Sequence, residues 1–238
     1  MRSRSRLRNH VALITGGNRG IGFAIAKALA AEGCSLIITG RDQASLKRAA
    51  RQLGRKSVPM ACDVRDPQAV DKLFAAIEKQ FRKIDILINN VGVAHPDLRV
   101  DKLPVETWRE VIDTNLTGMF LVTRAALPLM NRGSAIVNNL SIAAKRVFPG
   151  SSAYNASKHG ALGFTSTLRE EVRARGIRVV ALMPGATDTG IWKTFWPQAP
   201  RKKMLSASTV AQAVVHALAL PEDSTVEELL ILPSVGTL

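Results

Sequence analysis

His10-Val-Ala-Leu-Ile-Thr-Gly-Gly-Asn-Arg-Gly-Ile-Gly-Phe-Ala-Ile-Ala-Lys-Ala-Leu-Ala-Ala-Glu32 is the stretch whose reading decides the fold. It opens with an apolar run of strand length, His10–Thr15, and closes with a stretch of helical period, Gly20–Glu32. Between them Gly16, Gly20 and Gly22 form a G-x-x-x-G-x-G pattern. Glycine permits the tight turn, and it lets backbone amides at a helix N-terminus approach an anion such as a pyrophosphate. A glycine-rich loop alone is weak evidence; here strand, loop and helix follow in the required order. The spacing departs from the common G-x-G-x-x-G dinucleotide fingerprint.

The same alternation continues along the chain. Strand-like runs lie at Ser35–Thr39, Ser57–Ala61, Ile84–Asn89, Ala135–Leu140, Ile177–Met183 and Leu229–Pro233. Helical stretches lie between them at Gln43–Leu53, Pro67–Phe81, Val105–Met130, Ala153–Arg175 and Ser208–Leu218. Continuous apolar strands alternating with helices predict a parallel sheet covered on both faces, a doubly wound α/β domain. Asp42 reads as a helix N-cap, and Asp66-Pro67 puts proline in a first helical turn. No linker or repeat divides the chain, so residues 10–238 are expected to form one domain. Cys34 precedes the second strand and Cys62 follows the third, which puts the thiols at opposite ends of the sheet, too far apart to pair.

The composition narrows the class. Of 238 residues 46% are hydrophobic and 22% charged, an ordinary globular balance. No apolar run nears the ~20 residues that span a bilayer. The basic start lacks the apolar core of a secretory signal, and two cysteines are too few for a disulfide framework or a metal cluster. A soluble, cytoplasmic protein without metal or membrane attachment is therefore expected. Net charge is +14, of which Arg2, Arg4, Arg6 and Arg8 supply four. Residues 1–9 read as a basic flexible tail; no aromatic is interleaved there to stack on bases, so nucleic acid is not an expected partner. The charge of the body favours anionic partners, acidic carrier proteins among them.

Polar or turn residues sit at the carboxyl end of strand after strand, the edge where open parallel sheets bind ligands. They are Arg41-Asp42, Asp63, Asn89-Asn90-Val91-Gly92, Ser141 and Pro184-Gly185. Arg41 stands where a cation would accept the 2′-phosphate of NADP, with Arg19 as a second cation nearby, so NADP(H) is expected over NAD(H). Tyr154 and Lys158 are four apart in a helix and share a face. An ammonium held near a phenol favours the phenolate and would bring its pKa down from ~10 toward the range of a useful base.

Taken together, Thr15–Gly22, Asn89–Gly92, Asn115, Ser141, Tyr154-x-x-x-Lys158 and Pro184-Gly185 resemble the short-chain dehydrogenase/reductase family over nearly the whole chain. The resemblance implies a Rossmann-type seven-stranded parallel sheet and reversible hydride transfer between alcohol and carbonyl. It implies Tyr154 as acid/base, Lys158 on the cofactor ribose, Ser141 orienting the substrate oxygen, and Asn115 supporting a water-linked proton relay. Thr15, Gly16, Asn18, Arg19, Gly20, Ile21 and Gly22 would bind the dinucleotide, with Asp63 and Val64 beside the adenine and Asn89, Asn90, Val91 and Gly92 along its path. Thr187 and Thr189, after Pro184-Gly185, would hold the carboxamide. Val91 replaces the usual alanine, and Thr187 stands where an aliphatic residue is frequent.

The expected activity is that of an NADP(H)-dependent oxidoreductase acting on a small carbonyl or secondary alcohol. A 3-oxoacyl-carrier-protein reductase, with Arg132, Arg173 and Arg175 as docking cations, is one specific form. A non-catalytic NADP(H)-binding redox sensor is the alternative. A lid is expected at about residues 190–205, from Trp192, Phe195, Trp196 and Met204. A homodimer or homotetramer is expected through the helices around Phe120 and Phe164.

Overall fold

A computed structural model describes residues 5–237. Seven strands form one parallel sheet in the order β3-β2-β1-β4-β5-β6-β7. They are β1 (Val11–Thr15), β2 (Ser35–Gly40), β3 (Ser57–Ala61), β4 (Ile86–Asn89), β5 (Ala135–Asn139), β6 (Arg178–Pro184) and β7 (Glu228–Ile231). Side chains alternate across the sheet. Ala12, Ile14, Leu36, Ile38, Ile88 and Val137 turn toward α1 (Gly20–Ala31), α2 (Gln43–Leu53) and α8 (Ala207–Leu218). Leu13, Ile37, Leu87 and Ile136 turn the other way, toward α3 (Pro67–Phe81), α5 (Gly118–Ala126) and α6 (Ser152–Arg173). Two apolar layers thus clamp a sheet buried on both faces, which is why its strands read as unbroken apolar runs.

The caps follow from the sequence. The Asp42 carboxylate accepts from the amides of Ala44 and Ser45 at 3.0 and 3.3 Å, and that of Asp66 from Gln68 at 2.9 Å. Cys34 and Cys62 are free and buried, and burial pushes their thiols up to about 12 and about 11.

Two expectations change. The single helix expected over Val105–Met130 is α4 (Val105–Ile112), a π-helical turn at Asp113–Thr117, and then α5. Asn115, fully buried in the wide turn, holds the backbone of Val93 through both ends of its side-chain amide. The flexible tail expected over residues 1–9 does not hold at Leu7 and Asn9. Its first four residues, with Arg2 and Arg4, lie outside the described residues. Leu7, by contrast, is 3% exposed and packs into the core beneath α1. The Cys34 thiol donates to the Leu7 carbonyl at 3.2 Å, and the Asn9 amide to Gly33 at 3.1 Å. Leu7→Ala should therefore cost about 2–5 kcal/mol in chemical denaturation; an unchanged midpoint would return this segment to the tail.

Candidate active site

Strand addition reverses between β1 and β4, and the crevice at such a switch point is where open α/β sheets bind ligands. The Thr15 hydroxyl closes this point: it donates to the Ile88 carbonyl at 3.3 Å and accepts from the amides of Asn90 and Val91 at 2.8 and 3.2 Å. Asn90 Nδ2 donates to the carbonyls of Thr15 and Gly16 at 3.0 and 3.3 Å. A Cβ on Gly22 would fall 2.3 Å from that nitrogen, so only glycine lets α1 start here. Gly16 and Gly20 take φ of +64° and +56°, the left-handed region that favours glycine. Arg19 gives α1 no side-chain cap and its first turn holds no acidic residue, so its first amides are left for an anion. Asn18 Nδ2 ties the loop to Ser45 Oγ at 2.9 Å, and Ile21 anchors it in the core. These residues fit the pyrophosphate of a dinucleotide.

At the ends of β2 and β3 both carboxylates are occupied. Asp42 caps α2, and Asp63 grips the Arg65 guanidinium at 2.6 Å, a hydrogen-bonded pair that holds the Asp63 carboxyl below the usual range. Arg41 and Arg19 have no ion pair among the described residues. Val64 is buried, 2.7 Å from where a Cβ on Gly118 would lie. Asn89 faces the interior: its Nδ2 donates to Thr123 Oγ1 and Asn138 Oδ1 at 2.9 and 2.8 Å. Val91 packs on the core at the α5 side, and Gly92 leaves open the space beside Asn115 Oδ1 and Lys158 Nζ.

Asn115, Ser141, Tyr154 and Lys158 converge at this edge. The Asn115 side chain is fully used. Its Oδ1 accepts from Val93 N at 2.8 Å, and its Nδ2 donates to the Val93 carbonyl at 2.9 Å and to Ser157 Oγ at 3.0 Å. The Ser157 hydroxyl donates to the Tyr154 carbonyl at 2.7 Å, so the π-turn and the start of α6 are fastened together. Lys158 is 3% exposed, donates to the Asn139 carbonyl at 3.2 Å, and lies 5.5 Å from the centre of the Tyr154 ring.

Proton affinities here run against expectation. Burial pushes the Tyr154 phenol above its ordinary value, only partly opposed by the Ser141 hydroxyl. Burial also brings Lys158 down to about 8. The expected depression of the phenol by the lysine is overturned for the ligand-free protein, because desolvation outweighs an ammonium lodged on a backbone carbonyl.

At the end of β6, Pro184 and Gly185 lead into a loop that abuts the glycine loop, with Thr189 Cγ2 3.4 Å from where a Cβ on Gly20 would lie. Thr187 Oγ1 donates to the Gly185 carbonyl at 3.0 Å, and its own carbonyl accepts from Trp192 Nε1 at 2.8 Å. In the short helix α7 (Trp192–Phe195), the Phe195 ring lies 5.9 Å from that of Tyr154 and 5.6 Å from Trp192. Two of the expected docking cations are engaged internally: Arg173 pairs with Glu170 and Glu227, and Arg175 donates to the carbonyls of Leu127 and Met130. Sequence reading missed Ser157, an ordinary helix residue by pattern, and Asn139, whose one signal was an amide in an apolar strand. Among the described residues no group of His, Cys, Asp or Glu could hold a metal ion, and no helix is long and apolar enough to cross a membrane.

The chain matches the short chain dehydrogenase family over residues 10–200. It is 38% identical over 183 residues to a 3beta-hydroxysteroid dehydrogenase of Mediterraneibacter gnavus, covering 75% of this chain and 66% of that protein. The crystal structure of a 3-ketoacyl-(acyl-carrier-protein) reductase from Brucella melitensis, complexed with NADH, superposes with a TM-score of 0.88 at 30% identity, covering 96% of this chain and 98% of that one. An alcohol dehydrogenase from the archaeon Thermococcus sibiricus, complexed with 5-hydroxy-NADP, gives 0.88 at 31% identity, covering 94% and 96%.

Tyr154 is the only tyrosine, so tyrosinate absorbance reports it alone. In the ligand-free protein its midpoint should lie above 10.0, the ordinary value; a midpoint below that would mean that burial does not govern the phenol. Gly22→Ala should lower the thermal midpoint, and in the fraction that folds dinucleotide affinity should drop at least ~10-fold, read by direct titration.

Proposed function

The chain belongs to the short-chain dehydrogenase family, and on that premise we propose an NADP(H)-dependent oxidoreductase interconverting a carbonyl and a secondary alcohol. The observation that carries this reading is the convergence of Ser141, Tyr154, Lys158 and the Asn115 turn beside the glycine cradle. When bound, the nicotinamide supplies or accepts the hydride. Tyr154, kept protonated by burial, is the proton donor at its phenol oxygen during reduction and the acceptor during oxidation. Ser141 orients the substrate oxygen. Lys158 retains its proton below a pH of about 8, where its ammonium serves the ribose hydroxyls. Dinucleotide affinity should accordingly be full below that pH and fall above it. Asn115 holds Val93 and Ser157 with its side chain, so a relay at this residue runs through its main chain.

The cofactor preference rests on charge. With Asp42 and Asp63 both occupied, Arg41 and Arg19 meet the adenosine end unneutralised, which suits a 2′-phosphate. NADPH should be favoured at least tenfold in kcat/KM, about 1.4 kcal/mol, and Arg41→Asp should shift the preference toward NADH. Equal use of both by the wild-type protein would refute the assignment. Tyr154→Phe should lower kcat at least ~10²-fold with dinucleotide affinity nearly unchanged.

Residues 190–205 form the substrate lid, with Phe195 against Tyr154. Cofactor-binding roles for Thr187 and Thr189 are supported by their position beside Gly185 and Gly20. A carrier-bound 3-oxoacyl group agrees with the net charge of +14, though docking would need cations other than Arg173 and Arg175. A panel of ketones, steroids and acyl thioesters with NADPH discriminates among substrates. Assembly is proposed through the exposed Trp108 and Phe120, the latter edge-on to Phe164; light scattering at micromolar concentration tests it.

A further inference from the structure

We propose that Asn139 is a positioning residue that couples the dinucleotide cradle to Lys158. It is the last residue of β5, 8% exposed, on the same sheet face as Ala135 and Val137 and in register with Leu182, all apolar members of one core layer. An apolar side chain would suit that position better than an amide. Asn139 Oδ1 is moreover buried with no hydrogen-bond partner among the described residues, an uncompensated cost that core packing does not explain. What the amide does provide is a donor. Its Nδ2 donates to Asn90 Oδ1 at 2.9 Å, which fixes the Asn90 amide with its own Nδ2 toward the carbonyls of Thr15 and Gly16. That nitrogen is the one lying where a Cβ on Gly22 would collide. The carbonyl of the same Asn139 accepts from Lys158 Nζ at 3.2 Å. One residue therefore spans the floor from the pyrophosphate cradle to the lysine beside Tyr154. Without the donor, the Asn90 amide keeps only its Nδ2 contacts at 3.0 and 3.3 Å, and the cradle loses its spacing from the lysine.

This rests on the dinucleotide reading above, and the test separates the two. Dissociation constants for NADPH and NADH are measured by tryptophan quenching for wild type, Asn139→Leu, Asn90→Ser and the double variant, with thermal midpoints and hydrogen exchange of the ligand-free proteins. Asn139→Leu should weaken the preferred dinucleotide at least about tenfold while its thermal midpoint stays or rises, and the double variant should bind within about threefold of Asn90→Ser alone. Amides of residues 16–22 should exchange faster in ligand-free Asn139→Leu. Wild-type affinity in Asn139→Leu, or losses that multiply in the double variant, would overturn the proposal. If Asn139→Leu fails to fold, Asn139→Ser, too short to reach Asn90, carries the same expectations, and failure of both to fold makes the residue structural and overturns it. If wild type binds neither dinucleotide, the functional reading fails, and the exchange rates of residues 16–22 alone decide whether Asn139 holds the loop.

Discussion

The architecture of the site depends on one close approach, that of α1 to the end of β4 across Gly22 and Asn90. The would-be Cβ distance of 2.3 Å leaves no room for any side chain on α1 at that point. Because the helix starts so near the sheet, its uncapped amides arrive at the carboxyl edge rather than above it. Because Asn90 is the contacted group, the β4 turn that carries Val91 and Gly92 is set by the same contact. Thr15 completes the arrangement by bonding β1 to both sides of that turn. A substitution at this junction changes the glycine loop and the turn after β4 together.

The second constraint is dryness. Burial raises the phenol of the half-buried Tyr154 and lowers the amine of the fully enclosed Lys158. Both shifts favour the neutral pair. With the amine at about 8 and the phenol raised, both groups still carry their protons at neutral pH. Spacing of four residues says that the two side chains share a helix face; it does not say that the ammonium is lodged on the Asn139 carbonyl. The sequence reading failed here because it weighed the charge of the lysine and left out the desolvation of both groups.

Elsewhere the sequence was legible where local chemistry dictates local structure. Unbroken apolar strands, the glycine loop and the Asp42 and Asp66 caps are all such features, and the sheet and its edge follow from them. Long-range pairings were not legible. Nothing local to Asn115 announces that its amide will be saturated by Val93 and Ser157 within a π-turn. Nothing in the basic start distinguishes Leu7, whose carbonyl accepts from the Cys34 thiol 27 residues on, from its exposed neighbours. Arg173 and Arg175 look like free surface cations until the fold brings Glu227 and the carbonyls of Leu127 and Met130 beside them.

The loop after β6 divides into a fixed part and a displaceable part. Its base is closed by the bridge between Thr187 and Leu205 and by Arg201, which donates to Asp188 Oδ1 and the Thr189 carbonyl at 2.6 Å each. Thr189 in turn abuts Gly20, so the base shares its position with the phosphate cradle. At the tip the Phe195 ring makes a tilted contact with that of Tyr154, and an aromatic pair of this kind contributes about 0.5–1.5 kcal/mol beyond its area. The Trp192 indole is tied to Thr187, which anchors the first residue of α7 to the base of the loop. The weaker contact therefore lies at the tip of the loop, and the stronger clasp at its base beside Gly20.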